Sequence, residues 1–263
     1  MPKIVGPIEY TGTFNNMTAY KMRGSDRIII RMKGGSSKEQ IKTHPNFASV
    51  RKNNAEFGAS AKAAACIRNA IVFVKHLADP GSTGRLNSLC KTILKQDRVN
   101  HRGQREISFT KHRQLLEGFN FNKELLLNGV IRHPLSCTLN RNTGSASVII
   151  PALMPGVNFY NPPQYFLCRF IITLGLVPDI IFKTDSYLPI PELNMRKTIY
   201  TEWFSTRKPL DEQGFDLQLE MLTDLADSNT MLLAIGVEYG QAESNNVIGP
   251  VKYGGCASIV ATG

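Results

Sequence analysis

Hydrophobic and polar positions alternate most clearly near the start of the chain, over residues 13–33. Alternation of this kind is typical of a β-strand that buries one face. Two such runs flank Gly24-Ser25-Asp26, a sequence that favours a tight turn, so the stretch predicts a β-hairpin. On this pattern the apolar face of the hairpin consists of Phe14, Tyr20, Met22, Ile28, Ile30 and Met32.

The opposite face of the predicted hairpin is basic. It carries Lys21, Arg23, Arg27, Arg31 and Lys33, and Arg51 and Lys52 in the following helix extend it. An isolated two-stranded hairpin is marginally stable in water. Its apolar face must therefore pack either on its own domain or on a neighbouring copy of the chain.

The hydrophobic period becomes helical after residue 46. Apolar residues recur at spacings of three and four over residues 47–78, which predicts a long helix with Phe47, Val50 and Phe57 at the start of its buried stripe. The Ala-rich residues 59–65 allow another backbone to pack close, and Gly58 is a candidate bend. A second helix is predicted over residues 84–97.

From residue 131 the hydrophobic period becomes two. Gly, Pro and Asn separate short strand candidates, a pattern typical of an antiparallel β-sandwich. The candidates are residues 134–139, 146–152, 165–174, 179–183, 197–206, 215–222, 231–239 and 256–261. The predicted fold class is α+β. A hairpin arm (residues 1–35) and a basic helical segment (36–130) precede a C-terminal antiparallel β-sandwich (131–263).

The net charge of +10 is unevenly distributed along the chain. Up to Thr143 there are 24 Lys and Arg against 9 Asp and Glu, a net charge of +15. From Gly144 onward there are 7 against 12, a net charge of −5. The basic part could face a polyanion, it could face the acidic part of another copy, or it could be solvated surface charge with no partner.

Composition narrows the class of protein. The hydrophobic content of 42% is enough for a full core, and the five Cys include no C-x-x-C pair, which indicates reduced core thiols. We identify neither a signal-peptide h-region nor an apolar run of the about 20 residues that span a bilayer. The sequence therefore predicts a cytoplasmic protein with no membrane partner.

No motif in the sequence carries a convincing catalytic chemistry. Residues 81–85 could hold an anion at a helix start, but a plain helix start is the better interpretation, because capping explains Ser82 and Thr83 without a ligand. Residues 254–258 resemble a nucleophile elbow, yet no His follows Cys256. The His residues show no metal-ligand spacing. We predict no enzyme activity, no metal and no cofactor.

Three stretches resemble an uncharacterised family of bacterial proteins: residues 17–35, residues 42–58, and the closing segment that contains MLLAIGVEYG and YGGCASIVA. Members of that family pair a short N-terminal hairpin and a basic helix with a strand-rich C-terminal half. The resemblance implies this architecture and a bacterial, non-secreted origin. The family carries no assigned activity, so the resemblance transfers no functional residue.

Two functions follow from these patterns. The first is a structural protein that self-associates into a filament-like homopolymer through its N-terminal arm, with basic and acidic parts of different copies in contact. The alternative is a coat-like protein or another protein that binds nucleic acid through the phosphate backbone without reading its sequence. A carbohydrate-binding or enzymatic role has only the predicted fold class behind it.

Overall fold

The computed structural model describes residues 10–22, 27–32, 34–190, 195–220, 225, 227–244 and 247–263. The chain divides into two compact units, residues 1–51 and residues 52–263. The boundary lies inside a helix and coincides with neither of the boundaries predicted near residues 35 and 130.

The first unit contains a three-stranded antiparallel sheet. Its strands are β1 Gly12–Phe14, β2 Met17–Lys21 and β3 Ile28–Met32, in the order β1-β2-β3. The predicted pairing of β2 with β3 is confirmed, while the predicted turn at residues 24–26 lies outside the described residues. Strand β1 was not predicted; a two-residue loop joins it to β2, and Asn15 in that loop has a φ of 51°.

A short helix follows this sheet. Helix α1 spans Lys38–Thr43, and Ser37 and Gln40 form a capping box at its start. A 3₁₀ helix at Pro45–Phe47 leads into helix α2 (Ala48–Ala70). The Arg51 guanidinium donates hydrogen bonds of 2.9 Å to the carbonyl oxygens of Ile41 and His44 at the end of α1.

Helix α2 passes through Gly58 without a break. It buries the small side chains Ala59, Ala63 and Ala64 together with Ile67, whereas Phe57 is 59% exposed. The predicted stripe was therefore wrong at its start, because close packing selects alanine over the larger apolar residues. The remaining helices are a 3₁₀ helix at Val72–Leu77, α3 Ser82–Leu94, α4 Phe109–His112, a 3₁₀ helix at Arg113–Leu116 and α5 Leu127–Val130.

The second unit contains ten described strands, and every pair that these strands form is antiparallel, so the fold class is α+β as predicted. They are β4 Ser136–Asn140, β5 Ser145–Ile150, β6 Leu167–Pro178, β7 Ile180–Lys183, β8 Ser186–Pro189, β9 Arg196–Tyr200, β10 Phe204–Ser205, β11 Gln213–Gln218, β12 Asn229–Ser244 and β13 Val247–Thr262. The large sheet has the order β10-β6-β12-β13, with β9 also paired to β6. The small sheet has the order β11-β5-β4, and β7 pairs with β8.

Two hydrophobic cores lie on opposite faces of the large sheet. One joins α2, α3 and the 3₁₀ helix Val72–Leu77 to Ile171, Leu232 and Ala257 of the sheet. The other joins the small sheet to residues such as Phe170 and Ile235. The helices and the strands therefore share a core, which explains why the second unit does not divide near residue 130.

Glycine lets α2 approach the large sheet closely. A Cβ placed on Gly175 of β6 would lie 2.8 Å from the carbonyl carbon of Ala70 and nearer still to its oxygen. A Cβ on Gly236 of β12 would lie 2.6 Å from Leu77 Cδ1. The two glycines therefore let Ala70, the last residue of α2, and the 3₁₀ helix Val72–Leu77 lie close to the sheet. Among the described residues, no helix has the length and apolar character needed to cross a membrane.

Candidate functional site

Side chains opposite one another in an antiparallel pair project to the same face of a sheet. In the first unit Met17 lies opposite both Phe14 and Met32, and Ala19 lies opposite Ile30. Lys21 lies opposite Ile28. We call this side the apolar face; its apolar members are Phe14, Met17, Ala19, Ile28, Ile30 and Met32.

Three large side chains form an exposed row across the apolar face. Phe14 is 63% exposed, Met17 43% and Met32 68%, although Ala19 and Ile28 are buried. Beside the row is a concavity of about 300 Å³, lined by Tyr10, Phe14, Met17, Ala19 and Ile30. Single exposed apolar residues are normal on a protein surface, but a contiguous apolar patch marks an interaction site.

Two residues that were predicted on the apolar face do not lie there. Tyr20 lies opposite Ile29 on the other face, and Met22 lies one residue beyond β2. The prediction treated residues 13–22 as one continuous strand, in which even-numbered residues share a face. The turn after Phe14 instead places Phe14 opposite Met17, so Phe14 shares its face with the odd-numbered residues of β2.

The predicted basic face does not exist as one surface. Lys21 shares the apolar face with Ile28, whereas Arg31 projects to the opposite face and places its guanidinium 5.5 Å from the Tyr20 ring centroid. Arg51 is engaged with backbone carbonyls, as described above, and Lys52 is an exposed residue of the second unit. Arg27 precedes β3, and Arg23 and Lys33 lie outside the described residues.

Three further residues of the apolar face and its concavity were not predicted as site residues. Met17 is central to the exposed row, and Tyr10 and Ala19 line the concavity. The signal that could have found them is Asn15-Asn16, since paired turn residues between two apolar runs predict a two-residue hairpin loop. Counting the strands from that turn gives the observed face.

The two motifs weighed for catalysis both lie in the second unit. Residues 254–258 lie within strand β13, not at a strand-to-helix turn. The carboxylate of Asp79 accepts hydrogen bonds from the Gly81 N–H (2.6 Å) and from Arg85, so a side chain already occupies the start of α3.

The cysteines are free thiols, and burial raises the pKa of Cys256 to about 12. A thiol with such a pKa is almost wholly protonated at neutral pH and is a poor nucleophile. Within the described part of the chain, no group of three or more His, Cys, Asp and Glu side chains could hold a metal ion.

Comparison of the chain with models of protein families, with curated proteins and with solved structures found no match in any of the three.

Proposed function

We propose that the protein is a structural, self-assembling protein whose copies associate through the apolar face of the N-terminal sheet into a filament-like homopolymer. The observation that carries the proposal is the exposed row of Phe14, Met17 and Met32 beside an apolar concavity. Removing these side chains from water lowers the free energy of the system. A second copy of the chain provides both an identical row and an identical concavity.

The magnitude of this gain indicates that the row does not act alone. Fully burying a Phe or Met side chain contributes about 1.5–3 kcal/mol, so burying the exposed parts of these three side chains contributes about 3–5 kcal/mol. Association costs roughly 4–15 kcal/mol in lost translational and rotational freedom. The apolar face therefore needs a second contact in the same assembly.

Strand addition supplies such a contact. Strand β3 pairs with β2 along one edge, and no described strand pairs with its other edge. In the second unit, β11 is an edge strand of the small sheet and is acidic. The exposed carboxylates on or beside it are Asp211, Glu212, Asp216 and Glu220.

We infer that the small and large sheets form a β-sandwich whose acidic edge, β11, accepts β3 of the next copy. Main-chain hydrogen bonds would join the two strands, and Arg31 of β3 would approach the carboxylates of β11. The contact joins two different surfaces of the chain. Such a heterologous contact continues indefinitely unless its rotation closes a ring, which favours a filament.

The direct test compares Met32→Glu with Met154→Glu. Both methionines are exposed, Met32 by 68% and Met154 by 56%, so neither substitution disturbs a core, and each adds one negative charge. Sedimentation velocity and negative-stain electron microscopy measure assembly. We expect wild type and Met154→Glu to form polymers and Met32→Glu to remain a small species.

A monomeric wild-type protein at high concentration in both low and high salt would refute the proposal, as would full assembly of Met32→Glu. Asp216→Lys tests the acidic edge separately, because Asp216 is exposed and lies on a strand distant from the apolar face in sequence. Nucleic acid that copurifies with the protein, and that salt removes, would favour the nucleic-acid-binding alternative instead.

A further inference from the structure

A charged cluster lies on the helix-facing side of the large sheet, where the 3₁₀ helix Val72–Leu77 ends. Glu238 of β12 is 2% exposed and lies directly opposite Arg169 of β6. Its Oε2 accepts a hydrogen bond of 2.6 Å from Arg169 Nε, and its Oε1 pairs with Nε2 of His76. Both carboxylate oxygens are therefore occupied.

The buried carboxylate is ionised at neutral pH. Burial raises the pKa of Glu238, but the hydrogen bonds from His76 and Arg169 outweigh burial and place the pKa below its ordinary value. A buried negative charge that accepts these hydrogen bonds holds Arg169 in one position. The strands fix this geometry, because residues 169 and 238 are cross-strand partners in the middle of a sheet.

Two aromatic rings fix the plane of the same guanidinium. Arg169 Cζ lies 4.7 Å from the ring centroid of Tyr200 and 4.5 Å from that of Trp203. The Trp203 ring packs over Gly240, where an added Cβ would lie 2.6 Å from it. Stacked guanidinium groups keep their in-plane N–H donors available.

The outer end of the guanidinium has no hydrogen-bond acceptor among the residues that the structure describes. Neither Nη nitrogen of Arg169 donates a hydrogen bond to a residue that the structure describes, and the side chain is 24% exposed. Around it, Phe73 is 38% exposed and Tyr200 43%, with the Arg196 guanidinium 5.8 Å from the Phe73 ring centroid. A cation with two fixed, outward donors therefore lies among partly exposed rings.

From this geometry we infer that Arg169 is the centre of an oxyanion-binding site, which takes a phosphate or carboxylate group carried on an aromatic or apolar body. The two Nη donors match the spacing of two oxygens of such a group, and Tyr200 and Phe73 contact the body. Because Glu238 and the rings hold the guanidinium in place beforehand, binding costs little side-chain entropy.

The chain provides its own probe of this site. Trp203 is the single tryptophan, and its ring stacks on Arg169, so its fluorescence reports directly on that guanidinium. Phenyl phosphate, benzoate and inorganic phosphate separate the two oxyanions and the contribution of the ring. We expect saturable changes in fluorescence, with matching heats by calorimetry, and tighter binding of phenyl phosphate than of inorganic phosphate.

Variants locate the site. Arg169→Lys keeps the charge but loses the planar pair of donors, and we expect it to weaken phenyl phosphate binding about tenfold or more. Arg169→Gln should abolish binding. Arg132→Gln is the matched control. The Arg132 guanidinium also stacks on a ring, 4.6 Å from the centroid of Tyr160, but no described carboxylate pairs with it. We expect the Arg132→Gln variant to bind phenyl phosphate as tightly as the wild type does.

Three results would overturn the inference. The first is the absence of saturable fluorescence change and heat with all three probes on the wild-type protein, a measurement that does not depend on the folding of any variant. The second is unchanged binding in Arg169→Lys when circular dichroism shows that the variant is folded. The third is loss of binding in Arg132→Gln, which would place the anion elsewhere.

Discussion

The close approach of α2 to the large sheet makes Gly175 a sharp test of the fold. In Gly175→Ala the new Cβ would lie 2.8 Å from the Ala70 carbonyl carbon, a distance below those that real Cβ atoms adopt. The obstacle is backbone at the end of a helix, so no side-chain rotation relieves it. The end of α2 must move away from the sheet and open the core around Ile71 and Val74, both fully packed in the wild type.

Overpacking of a core costs about 1–3 kcal/mol, and we expect the upper end, about 3 kcal/mol, because backbone must move. For a folding unit of 150–250 residues this corresponds to a fall in Tm of about 6–12 °C. Differential scanning calorimetry measures the shift, and urea unfolding gives the free energy.

Alanine substitutions at two further glycines provide comparisons for the stability loss in Gly175→Ala. In Gly236→Ala the Cβ would meet Leu77 Cδ1 at 2.6 Å, and a flexible side chain can give way, so a loss of about 1–2 kcal/mol is expected. Gly214 of β11 is the control, since an added Cβ there meets no atom within 4 Å. An unchanged Tm in Gly175→Ala, or a larger loss in Gly214→Ala than in Gly175→Ala, would refute the packing of α2 described above.

Three other predictions concern single sites. A hydrogen bond from Arg85 lowers the pKa of Asp79 from 3.8 to about 2, so this pair stabilises the fold above about pH 4 and ceases to do so as the pH falls through 2. Asp79→Asn should lower the free energy of unfolding in urea by about 1 kcal/mol at pH 7. Between pH 5 and 2 the free energy of unfolding should then fall less in Asp79→Asn than in the wild type; identical pH profiles would contradict this. Of the five thiols only Cys137 is partly exposed, so a thiol reagent at pH 8 should label at most this residue before unfolding; rapid labelling of a second thiol would disprove the burial. Thr184 and Asp185 both have positive φ, 51° and 57°, in the two-residue β7–β8 turn, so Asn-Gly in their place should raise stability by about 1 kcal/mol in thermal melts, and a fall in Tm would count against that turn geometry.

The kinds of element were predictable from local pattern, but their ends and faces were not. The helical period found α2 and α3, and period-two segments found most strands of the second unit. Strand β13 begins at Val247, nine residues before the predicted start. The predicted strand began only after Gly254 and Gly255, because paired glycines favour a turn. Long-range pairing with β12 overrode that local signal.

The buried face of α2 shows a second limit. Hydrophobicity selected Phe57 for the core, whereas the structure buries alanines and leaves Phe57 exposed. The choice depends on the distance between α2 and the rest of its core, whose members, such as Phe109 and Ile180, lie far away along the chain. Local periodicity contains no information on that distance, so the rule that larger apolar residues are buried gave the wrong face.

The charged cluster around Arg169 could not be predicted from local pattern either, because its members are far apart in the sequence. His76 and Glu238 are 162 residues apart in sequence, and Arg169 and Glu238 meet only because β6 and β12 pair in one register. A shift of that register by one residue would put Arg169 and Glu238 on opposite faces of the sheet.

Register also decides which residues form the apolar face of the N-terminal sheet, and there the deciding signal is local. A two-residue turn at Asn15-Asn16 places Phe14 opposite Met17, and the pairing of β2 with β3 then places Met17 opposite Met32. The three exposed side chains become neighbours through these two pairings alone. Had residues 13–21 formed one strand, Phe14 would lie three residue spacings from Met17 along that strand and on the other face, and no contiguous apolar row would exist. The proposed association surface is therefore a consequence of one turn, that of residues 15 and 16.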